Sequence, residues 1–159
     1  MDKEPHWYAL RVFWNRGEQV KDRLDSIGVE YYAQKVLPSY MFVHTTEKMI
    51  SEIRNFERDN ELRRFFVYID KAYKPIVVPD KEMEVFKIVT SAATDGFEFL
   101  GNDPSVYQTG DKVRVTDGPF KGAEGYIKRI RKDRRLVVTI SGVAAIATSF
   151  IPPELLEKI

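Results

Sequence analysis

The chain has 159 residues, 43% of them hydrophobic and 13% aromatic, with a net charge of only +1. This length suits one ordinary domain or two small ones, and the apolar content excludes a disordered chain of the low-hydrophobicity type. The absence of cysteine excludes a disulfide scaffold, zinc ribbons and thiol nucleophiles, and suits a reducing compartment. No apolar run approaches the ~18–20 residues of a membrane helix, and the polar start MDKEPHW does not read as a signal peptide. A cytoplasmic location without membrane contact is therefore expected. The charge is uneven: from Ser105 onward ten Lys/Arg face six Asp/Glu, leaving fifteen against eighteen before it. Such an imbalance fits two modules with different partners, and it also fits chance on solvated surfaces.

In chain order, WYALRVF (7–13) alternates as a strand. NRGEQVKDRLDSIG is helical, with Val20, Leu24 and Ile27 on one stripe, Asn15 able to cap it and Gly28 closing it. VEYYAQKVL and SYMFVHT read as strands separated by Pro38, which would break or bulge their pairing. TTEKMISEIRNFERD is a second helix, with Thr46 as cap and Met49, Ile50, Ile53 and Phe56 on one face. RRFFVYI is a strand, KPIVVPD a short edge strand, and DKEMEVFKIVT a third helix capped by Asp80 with Met83, Phe86 and Val89 inward. The order β-α-β-β-α-β followed by a helix predicts a ferredoxin-like α/β sandwich over 1–92.

Residues 93–108 lie in a stretch that loses periodicity and collects Gly, Asp, Asn and Pro, so they are expected to be a linker. From 109 to 159 the texture becomes all-β: DKVRVT, AEGYIKRIR, RLVVTI and AAIATSFI are short strands at the pitch of a small bent barrel. PPELLEKI closes the chain as one expected helical turn. The fold class predicted overall is α+β.

Catalysis finds little support. His6 and His44 lie in different elements outside any metal-spacing motif, no serine sits in a G-x-S-x-G context, and no Walker-type loop is present. Carboxylates such as Glu18 and Asp22 sit beside Lys21 and Arg23, as on a solvated helix. No enzyme, metal or cofactor is expected. The loop TDGPFKGAEG (116–125) could cradle a phosphate only if it led into a helix. Instead it leads into Tyr126, Ile127 and Ile130, which fit a strand. Gly118-Pro119 is turn chemistry, and Gly122 and Gly125 allow a tight turn and a bulge.

The segment GDKVRVTDGPFKGAEGYI resembles the KOW motif of SH3-like barrels, a motif shared with ribosomal proteins. The preceding WYALRVFWNRGEQV, LPSYMFV and IVVPDKEMEVF resemble the NusG N-terminal (NGN) domain, in the right order and across nearly the whole chain. The chain thus resembles NusG-like transcription elongation and antitermination factors, and in particular the specialised UpxY-type paralogues of long capsule operons. The resemblance implies docking on the clamp helices of RNA polymerase, increased processivity and suppressed pausing or termination, by a monomer. It places the polymerase contact at Leu37, Pro38, Tyr40 and Phe42, with Phe65 or Phe66. On a strand Tyr40 and Phe42 share one face and Met41 and Val43 the other; Tyr40 and Phe42 are expected to be the exposed pair. Contact with nucleic acid of the elongation complex, non-template DNA or nascent RNA, is carried over to Arg16, Lys21, Arg23, Arg63 and Arg64. On the barrel, Phe120 and Ile140 match the patch that binds a small-subunit ribosomal protein or Rho, and Arg134 and Arg135 stand at a basic hairpin that could meet RNA or ribosome phosphates.

Two departures stand out. The basic hairpin usual between the second and third strands is missing from YYAQKVLPSY; either it is truncated or a segment is absent from the chain as given. Ala123 and Ser141 replace phenylalanines common in the family. Since each buried Phe supplies ~1.5–3 kcal/mol, weakened Rho or ribosome binding is expected. A ribosome- or RNA-binding KOW protein is the alternative reading, and a small enzyme on the ferredoxin-like layer a third.

Overall fold

Alternation in the first strand and helical stripes in the next segments generate the first layer of the structure, a computed structural model that describes residues 3–35, 37, 39–92 and 97–159. Strand β1 (His6–Val12) leads to helix α1 (Gly17–Ser26), the strands β2 (Glu30–Tyr32) and β3 (Tyr40–Thr45), helix α2 (Glu47–Asp59) and strand β4 (Phe65–Val67). The sheet runs β2-β3-β1-β4, antiparallel throughout. This order is that of a ferredoxin-like layer. One sheet face, carrying Tyr8, Leu10, Met41, Val43, Phe65 and Val67, packs with Val20 and Leu24 of α1 and Ile50 and Ile53 of α2 into one core. At ~1.5–3 kcal/mol per buried large apolar side chain, that core is the main stabilising contribution to this unit.

Local chemistry sets the helix ends. Thr46 caps α2 by accepting from the Met49 amide at 3.2 Å. Asn15 does not cap α1: it takes a left-handed turn (φ 63°), and Arg16 holds the N-cap position with no side-chain cap bond. KPIVVPD forms no strand of its own; it returns along the sheet through bridges Ile69↔Pro75 and Trp7↔Val78.

The chain divides into two units, Met1–Pro79 and Asp80–Ile159. The boundary thus falls ahead of helix α3 (Asp80–Ser91), which the sequence placed in the first module. The physical reason is a set of ties to the second sheet. Lys81 pairs with Glu124 at 2.8 Å, Glu82 accepts from the Ser141 amide and hydroxyl at 2.9 and 3.1 Å, and Ile88 lies against Gly122.

In the second unit the described residues form six antiparallel strands ordered β10-β6-β7-β8-β9-β5. They are β5 (Glu98–Gly101), β6 (Lys112–Val115), β7 (Glu124–Ile130), β8 (Asp133–Ile140), β9 (Ala144–Phe150) and β10 (Leu156–Lys158). The meander β6 to β9, with the last strand returning to the first after a 3-10 turn (Pro153–Leu155), follows SH3-like strand order. Two expectations are corrected here. Glu98–Gly101 is no linker but pairs with β9, and a 3-10 turn (Pro104–Tyr107) follows it; residues 93–96 of the expected linker lie outside the described residues. The C-terminus makes only a 3-10 turn before it becomes a strand.

The glycine-rich loop has a definite geometry. Gly122 N–H donates to Val115 O and Ala123 N–H to Phe120 O, both at 2.9 Å, with Gly122 in the left-handed region (φ 91°). Gly125 serves a different purpose. A Cβ there would stand 2.2 Å from Val137 O, so only glycine lets β7 lie this close to β8. The loop leads into a strand, as expected, and has no helix N-terminus to offer a phosphate.

Candidate functional site

The face of the first sheet opposite α1 and α2 is built from alternate residues of adjacent strands: Ala9, Arg11, Tyr40 and Phe42, with Phe66 across from Arg11. Tyr40 and Phe42 were expected to be exposed, yet they are 4% and 2% accessible, while Met41 and Val43 on the other face are buried too. Strand β3 is interior to the sheet, and its large neighbours explain Tyr40 directly. The Arg11 guanidinium lies 5.0 Å from the Tyr40 ring centroid and donates to its hydroxyl at 3.2 Å, and Tyr68 stacks on it at 6.2 Å. Burial first, then hydrogen bonding to Tyr68, pushes the Tyr40 hydroxyl pKa up. Phe42 stands between Ala9 and Tyr32 on the flanking strands. Leu37 and Phe65 are also buried, Phe65 within the helix-side core. Pro38 lies outside the described residues.

Of the predicted polymerase contacts that are described, Phe66 alone is open, at 44%. It belongs to a run of rings the sequence reading missed. Phe13 lies 5.9 Å from Phe66, and Tyr68 lies 5.3 Å on its other side. These rings border a cavity of about 720 Å3 that Arg58, Arg63 and Leu62 also line. Beyond the end of β1, Trp14 is 91% exposed and borders a second cavity of about 350 Å3 with Lys21, Gln34 and Lys35. The signal for these rings was present: Phe13 continues the alternation of Arg11, and Trp14 follows the strand where no ladder neighbour can cover it.

The predicted basic residues separate into two groups. Arg16 and Arg63 are exposed, and among the described residues Lys21 makes only a 3.6 Å pair with Glu18. Arg23 instead lies 3.8 Å over the Phe56 ring, a packing role. Arg64 is tied to Glu57 through two guanidinium nitrogens at 3.1 and 2.6 Å, with both side chains nearly enclosed. Its charge is matched inside the protein, so it is a structural residue.

On the second unit, the expectation that Phe120 and Ile140 form a partner patch is overturned. Phe120 is 5% accessible and Ile140 fully buried, because the loop's own hydrogen bonds turn Phe120 inward and Ile140 lies on an inward position of β8. Ala123 is buried as well, and Ser141 is occupied by Glu82. Arg135 donates to Glu98 at 3.3 Å and pairs more loosely with Asp133 at 3.6 Å, whereas Arg134 is exposed. Among the described residues no group of three or more His, Asp and Glu could hold a metal ion, and no helix is long and apolar enough to cross a membrane.

No protein-family model matches the chain. Among solved structures it is similar to the crystal structure of the MjSpt4:Spt5 complex in conformation B, with 16% sequence identity, 96% of each chain covered and a TM-score of 0.34.

Proposed function

We propose that the chain is a transcription elongation or antitermination factor of the NusG-like kind, with the UpxY-type branch suggested by the motifs quoted above. It acts by binding RNA polymerase, without bond chemistry. The observation that carries this reading is the order of two modules on one chain: a ferredoxin-like layer opening WYALRVFWNRGEQV, then an SH3-like sheet containing TDGPFKGAEG. In this reading the polymerase surface is centred on Phe66, Phe13 and Trp14, three of the open rings of the first unit. A partner helix gains most of its affinity from a few such anchors. Arg16, Lys21 and Arg63 beside them suit phosphates of non-template DNA, giving salt-sensitive and sequence-blind contacts. Arg16 supports this further, since a cation at a helix N-terminus opposes the helix dipole unless an anion joins it.

The test is co-purification with core RNA polymerase. Wild type should be retained, and Trp14→Ala with Phe66→Ala should lose retention at an unchanged melting temperature. Undiminished retention of the double variant would refute the docking surface, and a wild type that does not associate would refute the function. A reconstituted elongation assay over pause and Rho-dependent sites then reads the direction of the effect: fewer pauses and more read-through are expected.

A further inference from the structure

The two ends of the second sheet are protected in different ways. At one end β10 carries Glu157 and Lys158, and charge on an edge strand discourages another chain from pairing with it. Toward the other end β9 reads AAIATSF, and no residue from Leu136 to Pro153 is charged. A strand free of charge, proline and glycine would template pairing with another chain if its edge were open. β5 covers that edge.

β5 is a poor strand in its own right. It has four residues, and Leu100 forms a bulge, since Phe99 stands opposite Ile146 and Gly101 opposite Ala145. Two contacts hold it besides the ladder. Leu100 packs on the buried cluster of Val137, Ala145 and Ala147. Glu98, its single charged residue, accepts from Arg131 at 2.7 and 3.1 Å and from Arg135 at 3.3 Å; Asp133 stands 3.6 Å from Arg135 as a competing carboxylate. The chain beyond β5 is fastened separately. Gln108 donates to Thr139 and Ser141 at 3.0 and 3.1 Å, and Lys128 donates to Thr109 at 2.8 and 2.7 Å. Gly101 lies between the latch and that fastening, at φ 118° and with nothing within 4 Å of a Cβ built there. This is hinge chemistry, so β5 can lift away while residues 104–109 stay in place.

We propose that β5 is a guard strand, latched by Glu98, that keeps β9 from pairing antiparallel with β9 of a second copy of this chain. Pairing about Ala147 sets Ala147 opposite its own copy, Ile146 opposite Thr148 and Ala145 opposite Ser149, with no like charges facing. A two-fold contact needs only one patch that matches itself, and an uncharged strand run against its own copy meets that condition. Ala144 to Thr148 are already buried, so the second copy adds backbone hydrogen bonds without moving side chains out of water. The guard belongs to the second unit alone and stands whether or not the chain binds polymerase.

The experiment is sedimentation equilibrium with hydrogen exchange, on the full chain. Wild type should be monomeric, and Glu98→Lys, which sets a third cation against Arg131 and Arg135, should dimerise as concentration rises. In dilute Glu98→Lys, β5 and β9 amides should exchange about 10-fold faster or more, as for loss of a hydrogen bond to a charged group. β9 amides should regain protection as the dimer forms, while β10 amides stay unchanged. A Glu98→Lys chain that remains monomeric with β9 deprotected, or a dimer that leaves β9 unprotected, would overturn the proposal. A second variant decides the matter should Glu98→Lys fail to fold. The chain has no cysteine, so Glu98→Cys with Ala147→Cys can form one defined disulfide between residues that face each other in the ladder. Oxidised in dilute solution it should stay monomeric; reduced, and lacking the latch, it should dimerise. Identical behaviour of the two forms would also overturn the proposal.

Discussion

Two arginine doublets, Arg63–Arg64 ahead of β4 and Arg134–Arg135 within β8, divide their side chains in the same way. In each, the second arginine reaches a carboxylate and the first faces solvent. The carboxylates differ in how completely they satisfy their partner. Glu57 accepts from two nitrogens of Arg64 in a nearly enclosed pair. Glu98 is shared between Arg135 and Arg131, and the buried Nε of Arg135 has no hydrogen-bond partner among the described residues. The second arginine of the first unit's doublet therefore has its charge closed internally, while the second unit's doublet sits in a hairpin with surplus positive charge at its tip. Identical dipeptides thus have different consequences: the closed pair stabilises its fold, and the loaded hairpin is suited to an anionic ligand.

The largest effect should come from opening the closed pair. Glu57→Ala leaves Arg64 buried without a partner, at a cost of about 3–5 kcal/mol, read by urea denaturation of the full chain. Replacing both residues by Met should recover much of that loss, because apolar packing avoids the desolvation of two charges. Glu98→Ala should cost less, since its partners are already shared and Arg131 is mostly exposed. Equal losses in Glu57→Ala and Glu98→Ala would erase the contrast between the two ties.

Acid should act on the second unit next. The hydrogen bond from Arg131, then the charges of Arg131 and Arg135, hold the Glu98 carboxyl below its usual range; the hydrogen bond from Lys81 does the same for Glu124. A carboxyl whose folded pKa is depressed adds stability above its unfolded pKa and loses it as pH falls through the folded value. The melting temperature should therefore fall below about pH 4.5, and Glu98→Gln with Glu124→Gln should flatten that decline. Hydrogen exchange assigns the loss: β5, β7 and α3 should lose protection before β1 and β3 do.

Much of this was legible in the residues. Val20 with Leu24 and Ile50 with Ile53 announced two helices on one sheet face, and Thr46 announced where α2 begins. Burial of Tyr40 was not legible, because alternation separates the two faces of β3 without saying what covers either. Phe120 misled for a related reason. A ring amid glycines, a proline and a lysine reads as an exposed anchor, yet backbone bonds closing the loop turn it inward. Glu98–Gly101 read as linker because a four-residue edge strand carries almost no pattern, and its partner β9 lies more than forty residues on. The C-terminal Leu, Glu and Lys favour helix locally, but pairing with β6 overrides that preference. The two arginine doublets were visible; their carboxylate partners, Glu57 seven residues before Arg64 and Glu98 thirty-seven before Arg135, were not.

The smallest effect is also the most discriminating. Arg134→Glu converts a facing Arg129–Arg134 pair into an opposite-charge pair, which should stabilise the second unit by about 0.2–1 kcal/mol. Arg63→Glu meets no facing cation in a ladder, since Arg63 lies ahead of β4, and should leave stability within about 0.5 kcal/mol of wild type. A charge reversal that strengthens a fold is a sign that the original charge is kept for something other than folding. Should thermal melts show Arg134→Glu to be neutral or destabilising, the hairpin's facing arginines are already relieved by solvent and counterions. The surplus charge would then cease to be an argument for a ligand.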